Sequence, residues 1–444
     1  MVTGFSLVGC KTTTAVETTE AVTTTAAAET TAAATTTAKE HVTLQFTGWE
    51  ASPLETESVT KGLDLFMSKN PDITVEYNPI PGAGYNSKIL TMMAGGTCPD
   101  VFFCYSWGYR EFAKAGALLN VTDSFNKEYK IDDFIPSAAT IMQVDGGIYG
   151  VNSCTVSPVL FYNKDLFDKA GLPYPPSDPA KAWTWDEFRE VAKKLTIVEG
   201  GKTKQWGVFG QEQTYMASAL IMENGGSLFN ADVSKCTINS PEAAEVWQAI
   251  LDVRKVDGSS PEAAPQAASG GAILSSANML STGTIAMLID GSWSLQELSH
   301  MDFKVGVGVL PKFTEALTHG QAHVHAAWAQ TTHPLEAWRL LSFLSSEEYQ
   351  IGLIKAGLWM PNRKSLYTEE GIAKWYDPAV HPEGFKEMAP YFQNALVEPT
   401  SMNSKVIVND IITEEIDKFL HGNQPIDVTL ANIEQRANVE LAKS

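Results

Sequence analysis

Positive charge is what this sequence most lacks: across 444 residues, 32 Lys and Arg stand against 52 Asp and Glu, a formal net charge of −20. Such a chain repels phosphate backbones and anionic headgroups, which excludes nucleic-acid binding. Long apolar runs are lacking too. Gly, Ser or a charge interrupts every one before it reaches the ~18–20 residues of a membrane-spanning helix. Cysteine is scarce, with five residues and no C-x-x-C pair, so neither a dense disulfide framework nor a zinc ribbon fits. Absent as well are H-E-x-x-H, G-x-S-x-G, a Walker loop and G-x-G-x-x-G, the signatures of several large catalytic and nucleotide-binding classes. What is abundant is apolar and aromatic: 44% hydrophobic residues and 11 Trp, about double ordinary Trp usage. That much core material in a chain of this length predicts two globular lobes. Trp enrichment suits the binding of flat apolar faces, or simply a large core.

Leu7-Val8-Gly9-Cys10 has the small-residue pattern that bacterial lipoprotein signal peptidases accept ahead of a lipid-modified cysteine, and it resembles a lipobox. Residues 1–10 are therefore expected to be a truncated lipoprotein signal ending at Cys10, because the charged start and full apolar segment of a secretory signal are missing. A chance match of four residues is the bland alternative. Residues 11–39 contain 13 Thr and 9 Ala and none of the Leu, Ile, Phe or Trp that offsets chain entropy, so 11–40 is expected to be a disordered stalk. At ~5–6 Å per square root of residue number, it spans on the order of 30 Å.

Beyond the stalk, Val42-Thr43-Leu44-Gln45-Phe46 alternates as a strand, Val59, Leu63, Phe66 and Met67 fall at helical spacing, and Ile73, Val75 and Tyr77 alternate again. This β-α-β pattern predicts a parallel sheet with a right-handed crossover. A helix over 85–94 leads to Val101-Phe102-Phe103-Cys104-Tyr105, a strand apolar enough to be buried on both faces. Thr184-Trp185-Asp186-Glu187 is a capping box, and Ser240-Pro241 an N-cap with a first-turn proline. Residues 258–271 read as a surface loop, 283–288 as a strand and 335–344 as an amphipathic helix.

Chemistry-bearing residues each have a plain alternative. Glu50, Asp100 and Asp290 sit near expected strand ends, where a glycosidase pair would lie, but where caps and hydroxyl acceptors are commoner. His319, His323 and His325 form H-x₃-H-x-H without an acidic or Cys partner nearby; a strand crossing explains them as well as a metal would, and no metal is assigned. Cys98 and Cys104 bracket one strand, too far apart along extended chain for a disulfide. With Cys154 and Cys236 they are expected to be free buried thiols, a bridge through Cys154 being left open.

Taken in order, several segments resemble the family 1 extracellular solute-binding proteins of ABC sugar importers, the class that includes maltose-binding protein. They are Ala94-Gly95-Gly96-Thr97-Cys98-Pro99-Asp100-Val101, Tyr149-Gly150-Val151, Tyr162-Asn163-Lys164-Asp165-Leu166-Phe167, Ala170-Gly171-Leu172, Pro175-Pro176, Thr184-Trp185-Asp186-Glu187-Phe188, Gly283-Thr284-Ile285-Ala286-Met287 and Asp290-Gly291-Ser292-Trp293. The likeness runs through nearly all of 41–444. Asn152, where proline is usual, and the stretch 319–325 depart from it.

The resemblance implies an α/β, two-lobe periplasmic-binding-protein-like fold of type II-like topology with hinge-crossing strands. Lobe one is then 41–158 plus 307–347, lobe two 159–306 plus 348–444, and the crossings fall near 158–162 and 305–310. It places Trp49, Glu50, Tyr105, Ser106 and Trp107 at the cleft from lobe one, Tyr215, Asp290 and Trp293 from lobe two, and Trp328, Trp359 and Arg363 at its lip. Aromatic planes would cover the C–H faces of a pyranose while polar groups take its hydroxyl edge; each nominee is otherwise a core or rim residue. Trp183, Trp185, Trp247 and Trp338 are expected to pack. The implied function is that of a lipid-anchored, monomeric substrate-binding lipoprotein on the outer face of a bacterial membrane, or in a periplasm. It would deliver a carbohydrate, an oligosaccharide, to the transmembrane permease subunits of an ABC importer. No catalysis and no cofactor are expected. The alternatives are a secreted carbohydrate-active hydrolase and a binding protein for a non-sugar solute such as a glycerophosphodiester.

Overall fold

The computed structural model describes residues 40–443 apart from 51, 83 and 263–273; Cys10, the stalk to residue 39 and most of the loop 258–271 lie outside the described residues. Two five-stranded sheets carry the fold, their strands numbered here in chain order: β1 Val42–Thr47, β2 Ile73–Tyr77, β3 Val101–Tyr105, β4 Gly150–Val156, β5 Pro158–Asn163, β6 Ile197–Glu199, β7 Lys202–Phe209, β8 Ile285–Gly291, β9 Val305–Gly308 and β10 Gln321–Ala327. The first sheet has the order β2-β1-β3-β10-β4 and the second β6-β7-β8-β5-β9. β1 is parallel to β2, Val42 opposite Ile73, and parallel to β3, Phe46 opposite Val101, which is the expected β-α-β arrangement. β10 runs antiparallel to β3 and β4 and closes that sheet.

The crossover helix α1 (Pro53–Lys69) starts where Ser52 Oγ accepts from Glu55 N at 3.1 Å with Pro53 in the first turn, and it buries Val59, Leu63 and Phe66 on one stripe. The capping box at Thr184 opens the helix Trp185–Leu195, and Ser240 caps Pro241–Lys255, both as expected. Trp185, Trp247 and Trp338 are buried and belong to the packing. β4 and β8 are buried at every position and anchor the two cores. Cys98, Cys104, Cys154 and Cys236 are all buried free thiols. Asn152, at the family's usual proline, donates from Nδ2 to Ala138 O at 2.9 Å, so the substituted position is still tied to its neighbouring helix.

The lobes meet at Ser157, the single residue between β4 of the first sheet and β5 of the second. Two of the expected borders need correction. Residues 305–310 are not a crossing: β9 pairs with β5 in the second sheet, Val305 opposite Asn163. Gly306 and Gly308 are packed so closely on Tyr162 and on Pro176 O that a Cβ would stand 2.1 and 2.8 Å from them. Phe313 still stacks on Trp185 of the second lobe, so the chain returns to the first sheet only just before β10. Nor does 348–444 lie wholly in lobe two. The helix Glu347–Lys355 packs on α1 and β4, and His381 Nε2 lies 2.9 Å from Ile354 O. The chain is back beside β9 at Gly384, whose Cβ position is 2.8 Å from Val307 O. Glycine-rich β-sequence marks a strand without saying which sheet receives it, which is why the borders were misplaced.

Candidate functional site

Between the lobes lies a cleft of about 880 Å³, lined from the first lobe by the β1–α1 turn, the end of β3 and the start of β10, and from the second by the segment after β8. This is where ligands bind in open α/β folds, beyond the strand ends.

The first-lobe wall is aromatic. Gly48 leaves room for the Phe103 ring, which a Cβ would meet at 2.8 Å, and Trp49-Glu50 pairs with Ile80-Pro81 as a two-residue strand that fixes the Trp49 backbone. The Trp49 indole lies flat on Tyr105, with centroids 4.1 Å apart and planes at 10°, and Tyr105 lies flat on Trp107 at 5.4 Å and 12°. These three rings form a continuous ladder. His323, opposite Tyr105 in the sheet, packs edge-on to Trp49 at 4.8 Å and to Trp359 at 4.4 Å. Burial pushes its pKa down to about 3, so its imidazole is neutral and serves as one more aromatic plane.

Facing this wall is Trp293, on a short 3₁₀ turn after β8. Asp290 accepts from Gly291 N and from Ser294 Oγ, both at 2.7 Å, and Ser292 N donates to Ser157 O at 2.8 Å. The turn is thus tied to the crossing residue between lobes. Gly291 leaves room for the indole, which a Cβ would meet at 2.3 Å. Tyr215 backs Trp293 at 5.5 Å and meets His319 edge-on at 4.3 Å.

Polar groups complete the lining. Ser52 Oγ donates to Gln296 Oε1 across the cleft at 2.6 Å, and Gln296 Nε2 donates to Trp293 O at 3.0 Å. Glu55 is only 2% exposed; burial, helped by the nearby Glu50 charge, pushes its pKa up to about 8. Among the described residues its Oε1 has no hydrogen-bond partner, and neither does the Trp293 indole N–H. Glu57 and Glu297 also line the cleft, whereas no Lys or Arg does so among the described residues.

Of the residues expected from sequence, Trp49, Tyr105, Ser106, Trp293 and Trp359 line the cleft together. Trp107 and Tyr215 stand one layer behind, against rings that do. The remaining four are corrections. Asp290 is buried and its side chain is taken up by its own turn. Glu50 points outward, exposed, with Thr56 Oγ1 at 3.5 Å. Trp328 follows the far end of β10, bridged to Leu118, roughly 16 Å of extended chain beyond His323. Arg363 is a buried structural cation: it donates from Nε and Nη2 to Ser345 O at 3.1 and 2.9 Å and lies over Tyr129 and Phe134 at 4.4 and 4.1 Å. Sequence reasoning missed Ser52, Glu55, Gln296, Glu297 and Gln321. The Ser-x-x-Glu spacing of Ser52 and Glu55, directly after a strand, was a usable signal for a helix N-terminus at the cleft. The three histidines take separate places, and among the described residues no three His, Cys, Asp or Glu side chains gather as a metal site.

Comparison with known proteins places the family and the fold. The chain is 28% identical over 406 residues to the sn-glycerol-3-phosphate-binding periplasmic protein of Brucella melitensis, covering 87% of this chain and 84% of that protein. Among solved structures, the ABC substrate-binding protein Lmo0181 of Listeria monocytogenes, in complex with cycloalternan, superposes with a TM-score of 0.78 at 26% identity, over 91% of this chain and 100% of that one. Maltose-bound MalE3 of T. maritima shares the fold with a TM-score of 0.74 at 23% identity, over 90% and 99%. The family model for bacterial extracellular solute-binding proteins matches residues 52–351. A two-lobe α/β chain with a lined interlobe cleft and a match of this extent belongs to the bacterial extracellular solute-binding protein family.

Proposed function

We propose that the chain is the carbohydrate receptor of an ABC importer, closing its two lobes on an oligosaccharide and handing it unchanged to the permease. The observation that carries this reading is the aromatic lining of one cleft by Trp49, Tyr105 and Trp359 from one side and Trp293 from the other. Aromatic rings on both walls offer apolar surface to the C–H faces of sugar rings, and the cleft volume suits a few of them. The Listeria relative, whose structure holds cycloalternan, supports it. The Brucella relative, named for sn-glycerol 3-phosphate, points elsewhere, but a phosphomonoester is best held by Arg or Lys, and none lines the cleft among the described residues. The cleft lining offers carboxyls instead.

A thermal-shift screen across oligosaccharides, with sn-glycerol 3-phosphate alongside, tests this. A ligand at 100 times its Kd stabilises the native state by ~2.7 kcal/mol, a shift of several degrees. A shift with the phosphate alone would overturn the reading, and loss of ligand mass on long incubation would mark an enzyme.

The anchor is part of the proposal. A monomeric receptor lipidated at Cys10 and held off the membrane by the Thr-rich stalk would stay beside its permease. Mass spectrometry of the mature amino terminus should find diacylglycerol on Cys10, and partition with membranes should be lost in Cys10→Ser; an unmodified Cys10 would remove the anchor.

A further inference from the structure

We infer that the cleft selects a basic sugar, an oligosaccharide carrying a protonated amine, and that Glu55 is the residue that reads the ammonium. This deepens the carbohydrate reading and rests on it.

Glu55 occupies the third position of α1, where the Ser-x-x-Glu spacing usually turns the carboxylate back onto the N-cap N–H. Here only half of that exchange is made: Ser52 Oγ caps Glu55 N, while the Glu55 carboxyl gives nothing back. It stands on the cleft wall, 98% out of solvent, with Oε1 unpartnered. A buried acceptor left open in a binding cleft is a place kept for a donor.

The surroundings say which donor. Among the described residues, the titratable side chains that act on Glu55 or are acted on by it include Glu50, Tyr77, Tyr105, Tyr349 and Cys154, and none of these five is a cation. Glu57 is already paired with Lys61 at 2.6 Å, one turn along α1. Across the cleft Glu297 adds a second carboxyl whose pKa burial raises. His300, which also lines the cleft, has Nδ1 at 2.8 Å from Gln296 O. A site with carboxyls on both walls, no Lys or Arg in its lining and Trp and Tyr faces between them matches an ammonium twice over, by charge and by cation–π attraction. A hydroxyl would satisfy Oε1 alone and leave the rest of the acidic wall unused.

Calorimetric titration at pH 6.5 decides it, with amine-bearing oligosaccharides each paired with its N-acetylated form, the glucosamine trimer first, and maltotriose as the amine-free control. The expected result is a preference of roughly tenfold or more for the amine form, erased in Glu55→Gln. That variant is isosteric but cannot ionise beside an incoming ammonium as the carboxyl does, and its melting temperature reports that the fold is kept. Equal or tighter binding of the N-acetylated or neutral sugars overturns the inference and leaves the carbohydrate reading standing, as does a preference that survives in Glu55→Gln. Binding of no sugar in the panel overturns both.

Discussion

Ser52 and Gln296, 244 positions apart in sequence, share a 2.6 Å hydrogen bond that spans the cleft, and the same Ser52 oxygen caps α1 by accepting from Glu55 N. One hydroxyl therefore serves a helix terminus in the first lobe and the turn of Trp293 in the second, since Gln296 also donates to Trp293 O. The bond exists only when the lobes are together, so it stabilises the closed state and not the open one.

The two halves of that role separate by mutation. Gln296→Ala removes the cross-cleft bond and the donation to Trp293 O but leaves the cap on α1, and a loss of ~0.5–1.5 kcal/mol should weaken ligand binding roughly two- to twelvefold with little change in the melting temperature of the free protein. Ser52→Ala removes the helix cap as well and should cost a further ~1 kcal/mol of stability. Small-angle scattering should show a larger radius of gyration for free Gln296→Ala than for wild type. Identical profiles and affinities would mean that the bond does not contribute to closure.

Trp293→Ala should lose ~1–3 kcal/mol of stacking and weaken oligosaccharide binding roughly five- to 150-fold, with Trp293→Phe recovering part. Gly291→Ala should act in the same direction without touching the ligand, because its Cβ would displace the indole. Titration and melting of the same variants check this: intact affinity with a large drop in melting temperature would assign Trp293 to the core.

Arg363→Leu should do the reverse. Its guanidinium is buried between Ser345 O and two aromatic rings, so replacement should cost on the order of 3 kcal/mol and leave the affinity of the folded protein within about twofold. A selective loss of affinity would return Arg363 to the cleft lip.

Glu55 should also show in the pH dependence of stability. Its folded pKa of about 8 lies above the ordinary carboxyl value, so the folded state binds the extra proton between the two. The associated stability is complete below about pH 4.5 and is lost as pH rises towards and through 8. Melting of wild type and Glu55→Gln from pH 5 to 9 should show the variant gaining on wild type with rising pH, by up to a few kcal/mol. Parallel curves would place a cation beside Glu55.

These outcomes bear on how the sequence is read. The parallel β1–β2–β3 core, the caps at Thr184 and Ser240 and the rings that line the cleft were legible, because alternation, cap chemistry and the Gly-x-Trp spacing are local properties. Arg363 and Trp328 were misread because burial beside Phe134 and a place at the wrong end of β10 are set by tertiary partners. Asp290 looked like a ligand contact for the same reason that it is not one: a carboxylate at a strand end can cap its own turn, as it does here. Glu55 was overlooked because nothing in Ser-Pro-Leu-Glu tells whether the carboxyl turns back to the cap or into the cleft.

The most direct test of the account as a whole is a calorimetric titration of one protein preparation with the oligosaccharide selected by thermal shift and, separately, with sn-glycerol 3-phosphate, repeated on Trp49→Ala. Saturable one-to-one binding of the oligosaccharide is expected, with no heat from the phosphate and a loss of affinity of at least about tenfold in the variant. Tight binding of the phosphate, indifferent to Trp49, would contradict it.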